Sequence, residues 1–381
     1  MRQTPHAIRA ERVFDGERMR ERAIVVIEDG LVRELCTTAD FLGETLDLGP
    51  GSLLTPGFID VQVNGGGGIL FNDEPSLSGL RTMAEAHRRF GTTGLLPTLI
   101  SDRRETMARA IAAVREALES GVPGILGIHL EGPFLNLRRK GAHPVECIVR
   151  VGEGDIDFLA SLGPRGATVV TLAPECVPPG TIRELTRRGV RVCAGHTEAG
   201  PAELEAAFAE GLAGFTHLYN AMAPLAGRAP GTVGVALTAD LGFAGIIADR
   251  HHVAPLSLLL AWRAIGAARM MLVTDAMSPV GTAIETFDLL GTQVHVSDGR
   301  CTFADGTLAG ATLDMAAAVR NVVSFGIPMT DALVMASRTP ARFLSRTDLG
   351  RIVPGARADL VALDANGFAT QTWIAGERER V

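Results

Sequence analysis

Apolar residues fall along this chain in short runs of strand length, and stretches of helical period separate the runs. Eight runs stand out, over 58–63, 94–99, 125–130, 168–172, 191–195, 214–216, 245–248 and 270–274. Between the second and third, Met107, Ile111, Val114 and Leu118 share one helical face, with Ser101 or Asp102 as N-cap and Gly121 as C-cap. Pro201 opens another helix and Gly211 closes it. Eight strand–helix alternations predict an α/β protein built on a (β/α)8 barrel, a TIM barrel, over residues 55–345. A doubly wound sheet fits less well, because neither G-x-G-x-x-G nor a P-loop follows the first strand. Residues 292–310, between the eighth strand and the last helix, read as an extra hairpin over the same rim.

The two ends carry a different pattern. Val13-Phe14 precedes Asp15-Gly16, and the run from Ala23 to Ile27 precedes Asp29-Gly30. Near the other end, runs over 359–363 and 370–374 flank Asn366-Gly367. Neither piece is long enough to bury a core alone. Together, residues 1–54 and 346–381 are expected to form one small β-sandwich domain, with the barrel inserted between them.

Composition supports this architecture and narrows the partners. The 381 residues are 46% hydrophobic but only 5% aromatic, with 44 glycines, which suits a barrel of small aliphatics and tight turns. The 36 basic and 43 acidic residues leave a net charge of −7, and the only basic tract is Arg138-Arg139-Lys140, so nucleic acid is excluded as an expected partner. Five scattered cysteines without a C-x-x-C pair read as reduced thiols of a cytoplasmic protein. The opening residues are too polar for a signal peptide, and no apolar run reaches the ~18 residues of a membrane span.

Several of the apolar runs end in residues that bind metals or move protons. The first ends at Gln62 and Asn64, the third at His129 and Glu131, the fifth at His196, the sixth at His217 and the eighth at Asp275. In a barrel the C-terminal strand ends face one cavity, so these residues converge there. One carboxylate and two imidazoles leave a coordination position for water, the pattern of a catalytic site. Taken singly, each has a plainer reading: a hydrogen-bonded histidine, a helix cap at Glu131, a loop tie at Asp275. His129 lies two residues before Glu131 and points the same way; it is a further ligand or, preferably, a core residue one layer below. His143 sits in a loop where most histidines are merely solvated. The run Gly65-Gly66-Gly67-Gly68 is either an anion-binding turn or, more simply, a flexible one.

The motifs TPGFIDVQVNG, GIHLEGPFLNLRRKGAHP, CAGHTEA, FTHLYNAMAPLAGRAPG, GIIADRHHV, LVTDAMSPVG and DGTLAGATLDM resemble, in order and over nearly the whole chain, the N-acetylglucosamine-6-phosphate deacetylases of the amidohydrolase superfamily. The resemblance implies hydrolysis of N-acetyl-D-glucosamine 6-phosphate to D-glucosamine 6-phosphate and acetate, in amino-sugar catabolism. It implies one divalent metal ion per chain, zinc or else iron, cobalt or manganese, on Glu131, His196 and His217. Asp275 is then the general base and acid, and His143 steadies the acetyl carbonyl oxygen. Ala142, Asn220, Ala221, Arg228, His252, Leu308, Ala309 and Gly310 contact sugar and phosphate. A homodimer is implied too, with Arg228 serving its own site or the partner's. Gln62 and Asn64 stand where two-metal relatives carry H-x-H, and Arg250 stands where the family usually has Gly. Two rival readings are weaker. Cyclic amidases need the H-x-H pair and a carboxylated strand lysine, whereas the only lysine is Lys140, in a loop. A catalytically dead sugar-phosphate sensor should have lost a ligand or the base, and all four are present.

Overall fold

The computed structural model describes residues 6–37 and 43–380. The remaining residues of the expected small domain, 1–5, 38–42 and 381, lie outside the described residues. Eight parallel strands, Phe58–Val63, Thr92–Ile100, Gly127–Glu131, Ala167–Leu172, Arg191–Ala194, Gly214–Phe215, Phe243–Ile247 and Met270–Val273, pair in sequence order. Each overlaps one predicted run. The first and last strands meet through backbone bonds, Asp275 N–H to the Gln62 carbonyl at 3.0 Å and Asn64 N–H to the Ala276 carbonyl at 2.8 Å. The sheet therefore closes into a barrel, and closure leaves no exposed strand edge. Val61, Val169, Met271 and Val273, with His129 and Phe215 among them, fill its interior so that the void they line is about 10 Å³.

Helices cover the barrel with apolar faces of helical period. Leu77–Arg88 turns Leu80, Met83, Ala84 and His87 inward, and Arg104–Glu119 buries Met107, Ala110, Ile111, Val114 and Ala117. The second of these departs from expectation at its start. Its N-cap is Arg103 and not Ser101 or Asp102, and no side chain caps it. Ser101 is engaged instead with His143, and Asp102 accepts hydrogen bonds from Arg103 N–H and Asn72.

The terminal segments build one mixed eight-stranded sheet in which a strand from 53–56 joins the N-terminal strands to the C-terminal ones. Its core gathers Ile8, Val25, Leu54, Ile352, Leu360 and the fully buried Trp373. The region expected to hold one hairpin is larger than that. Thr286–Leu289, Thr292–Ser297, Arg300–Thr302 and Leu308–Ala311 form a four-stranded antiparallel sheet. The additional first strand, Thr286–Leu289, alternates polar and apolar residues, but over only four positions.

The glycine run after the first barrel strand is neither a flexible turn nor an anion cradle. The N–H groups of Gly65, Gly67 and Gly68 donate to the carbonyls of Ala276, Val280 and Ser278. At Gly66 a Cβ would stand 2.7 Å from His87 Nε2, so a bare backbone is required for that close approach.

Candidate active site

Three strand ends share one local device. The strands ending at Ala194, Phe215 and Val273 are followed, two residues later, by His196, His217 and Asp275. All three adopt positive φ, at 49°, 31° and 52°, as does Ala221 at 47°. Such conformations cost side-chain-bearing residues about 1–3 kcal/mol each and persist only where the surroundings enforce them. Glu131 needs no such turn, since it is the last residue of its own strand. Parallel registry, with Glu131 opposite Thr171 and Ala194 opposite Leu172, keeps these ends level.

The result is convergence at the barrel mouth. Glu131 Oε1 lies 2.9 Å from His196 Nε2 and 2.9 Å from His217 Nε2, and the two nitrogens are 3.1 Å apart. All three side chains are buried. His196 Nδ1–H donates to the Arg139 carbonyl at 2.7 Å, which turns Nε2 toward the carboxylate oxygen. Two imidazole nitrogens and a carboxylate oxygen this close repel one another unless a proton or a metal cation lies between them. In a tetrahedral shell with bonds of ~2.0–2.1 Å, neighbouring ligand atoms stand about 3.3 Å apart, close to the separations here. The donor set fits a divalent cation.

His143 also comes near, since ligand atoms of Glu131, His143 and His196 lie within 4.8 Å of one another. Its hydrogen bonding sets it apart. Ser101 N–H donates to His143 Nδ1 at 3.1 Å. That bond leaves the ring proton on Nε2, which makes this edge a hydrogen-bond donor and not a metal ligand. Burial, reinforced by repulsion from His196, holds His143 well below the usual imidazole range, so the ring is neutral.

Two carboxylates share the site in opposite conditions. Burial works against the charge of Glu131, but the bonds from His196 and His217 prevail and hold it well below the usual carboxylate range. Asp275 is raised, first by burial and then by the charge of Glu131. Gln62 Nε2 reaches both, 3.2 Å from Glu131 Oε2 and 3.2 Å from Asp275 Oδ1, and Asn64 Nδ2 lies 2.7 Å from the same Asp275 oxygen.

A cavity of about 370 Å³ opens over this cluster. Its lining brings together Glu131, His196, His217, Asp275 and His143 with Ala142, Asn220, Ala221, His252, Leu308, Ala309 and Gly310. His252 is held by Asp249, whose Oδ2 lies 2.6 Å from Nδ1. Arg228 does not line it. That residue sits exposed at the tip of a turn closed by reciprocal bonds between Ala226 and Ala229. His129 lies one layer below, its Nε2 2.8 Å from Thr171 Oγ1 and Nδ1 3.1 Å from the Val61 carbonyl, as the core reading expects. Arg250 turns away from the cavity, donating to Ser324 and stacking 4.6 Å over Phe325. Arg250 is not among the residues that line the cavity. Its φ of 72° explains why glycine is the natural residue at that position.

Sequence reading missed four contributors: Ser101, Arg138, Arg139 and Glu175. Arg138 and Arg139 line the cavity. Glu175 ties the loops around His196 together, accepting from Thr197 Oγ1 at 2.6 Å, Glu198 N–H at 2.7 Å and Asn136 Nδ2 at 2.9 Å. The basic run had been visible, but only as a test for nucleic acid. Ser101 and Glu175 follow the second and fourth barrel strands, so the strand-end signal was there and was not applied to them.

Residues 53–378 match the model of the amidohydrolase family. The chain belongs to that family. Among curated amidohydrolase relatives, the N-acetylgalactosamine-6-phosphate deacetylase of Shewanella sp. is 42% identical, covering 96% of this chain and 94% of its own. The N-acetylglucosamine-6-phosphate deacetylase of Haemophilus influenzae is 34% identical over 88% of each. Of solved amidohydrolase structures, the N-acetylglucosamine-6-phosphate deacetylase of Pasteurella multocida superposes with a TM-score of 0.96 at 32% identity, covering 99% of this chain and 100% of its own. A Mycobacterium smegmatis mutant enzyme, solved in complex with N-acetyl-D-glucosamine-6-phosphate, gives 0.92 at 31% identity over 99% of each. The chain is thus a hydrolytic enzyme of a metal-dependent family. Among the described residues, no helix is long and apolar enough to cross a membrane.

Proposed function

We propose that the chain removes the acetyl group of N-acetyl-D-glucosamine 6-phosphate, releasing acetate and D-glucosamine 6-phosphate. The observation that carries this reading is the meeting of Glu131 Oε1, His196 Nε2 and His217 Nε2 within 3.1 Å, beside Asp275 and a donor-tautomer His143. Those three atoms would hold one divalent ion, with zinc the best match to two imidazoles and a carboxylate; iron, cobalt and manganese suit the same donors. When bound, such an ion lowers the pKa of water from 15.7 to about 7 and polarises a carbonyl.

The chain's own groups do the rest. His143 Nε2–H donates to the acetyl oxygen as negative charge develops on it. Asp275 takes a proton from the attacking water as the new C–O bond forms. It then delivers that proton to the nitrogen as the C–N bond breaks. The cavity's Asn220, Ala221 and His252 offer polar contacts to sugar and phosphate.

Arg228 lies outside its own cavity, which supports a homodimer in which it reaches the partner's site; a planar guanidinium suits phosphate oxygens. The catalytic unit on this reading is 55–345, with 1–54 and 346–381 as a separate β-domain. The free thiols of Cys147, Cys176, Cys193 and Cys301 support a reducing, cytoplasmic setting.

The 42% identity to an N-acetylgalactosamine-6-phosphate deacetylase favours a second substrate. Acetate release from both sugar phosphates and both free sugars, with metal content measured in parallel, tests the proposal. A tenfold or greater preference in kcat/KM for the glucose-configured phosphate is the expected result. Equal preference, or activity surviving complete chelation, refutes it.

A further inference from the structure

At the two positions where two-metal relatives place imidazoles, this chain places two amides, and their contacts give them a task. A carboxylate is soft about its last torsion, so its two oxygens exchange roles unless something distinguishes them. Asp275 Oδ1 receives Asn64 Nδ2 at 2.7 Å and Gln62 Nε2 at 3.2 Å. Among the described residues, no hydrogen bond reaches Oδ2. Gln62 Nε2 also holds Glu131 Oε2 at 3.2 Å, while Oε1 of the same carboxylate faces the two imidazoles. Carboxylates only accept, so the NH2 ends of both amides must point at them; the chemistry fixes which way each amide faces.

Both amides are buried on backbone that is tied down. Gln62 and Asn64 are each 2% exposed, Gln62 N–H donates to Asp60 Oδ1 at 3.1 Å, and the Gln62 carbonyl accepts from Asp275 N–H at 3.0 Å. Asp275 and its orienting groups therefore sit on one rigid seam, where the first and eighth strands close the barrel.

The geometry points to Asn64 and Gln62 as positioning residues: together they pin Oδ1 of Asp275 and Oε2 of Glu131, which leaves Oδ2 as the proton-transferring oxygen and Oε1 as the cation-facing one. This inference rests on the deacetylase reading for its rate assay, though not for its geometry.

The test compares wild type with Asn64→Ala and with Gln62→Met, a change of similar volume that keeps the chain folded should the first fail. The expected result is a 10–100-fold fall in kcat, the usual effect of losing a partner that orients a site group. KM should stay within about threefold and metal content should equal the wild type. Crystal structures should show the Asp275 carboxylate turned about its final torsion. Unchanged kcat with an unturned Asp275 overturns the inference. So does a raised KM at constant kcat, which would make Asn64 a substrate contact, and so does loss of metal. If wild type itself releases no acetate, the deacetylase reading falls separately, and the orientation of Asp275 in the variants still decides this one.

Discussion

Replacing Asp275 with Asn separates the roles of its charge from those of its shape. Asn64 and Gln62 both donate to Oδ1, so the new amide must present its oxygen to them. Its NH2 then occupies the place of Oδ2, a donor where the reaction needs an acceptor. The hydrogen-bonded seam survives, and removing a carboxylate that burial and Glu131 already disfavour in its charged form does not destabilise the fold. The loss is therefore confined to proton transfer. General acid–base catalysis contributes about 10²–10⁴-fold, or roughly 3–5 kcal/mol at 1.36 kcal/mol per decade. We expect Asp275→Asn to lose at least 10² in kcat while retaining its metal and its melting temperature. Steady-state acetate release, elemental analysis and calorimetry on one preparation make the assay. Near-full turnover with metal bound would refute the assignment of Asp275, and with it the mechanism.

His143→Leu should lower kcat about 10²–10³-fold, the effect of removing one oxyanion donor, at unchanged metal content; a loss confined to KM would contradict its role. His87 is buried and its pKa is pushed down to about 4 by desolvation, with only the Gly65 carbonyl opposing. The native state thus refuses a proton that the unfolded chain accepts below about 6.5, and stability falls as pH drops from 6.5 toward 4, by up to about 3 kcal/mol. His87→Gln should flatten urea-derived stability across that window, and an unchanged slope would refute the attribution. Arg250→Gly removes a positive-φ side chain at a gain of about 1–2 kcal/mol and loses a surface hydrogen bond and stacking contact of similar worth. Its kcat/KM should stay within twofold; a larger change would place Arg250 at the substrate.

Periodicity alone located all eight barrel strands, because parallel strands buried on both faces read as unbroken apolar runs. It also located Glu131, His196, His217 and Asp275, since in a barrel a polar residue just past such a run has one destination. The rim sheet over 286–311 was half legible: Asp298-Gly299 marks a turn, whereas the alternation of Thr286–Leu289 runs for only four residues.

What the linear chain could not specify depended on contacts between distant segments. Whether His143 ligates or donates is decided by Ser101 N–H, 42 residues away, and whether His129 is ligand or core by Val61 and Thr171. Gln62 and Asn64 read as strand-end residues in place of imidazoles, and only barrel closure set them against Asp275, more than 200 positions later. Local burial and chain direction are properties of a segment, so sequence determines them. Tautomers, oxygen identities and the side to which Arg250 turns are pairwise properties, and they exist only once folding has chosen the neighbours.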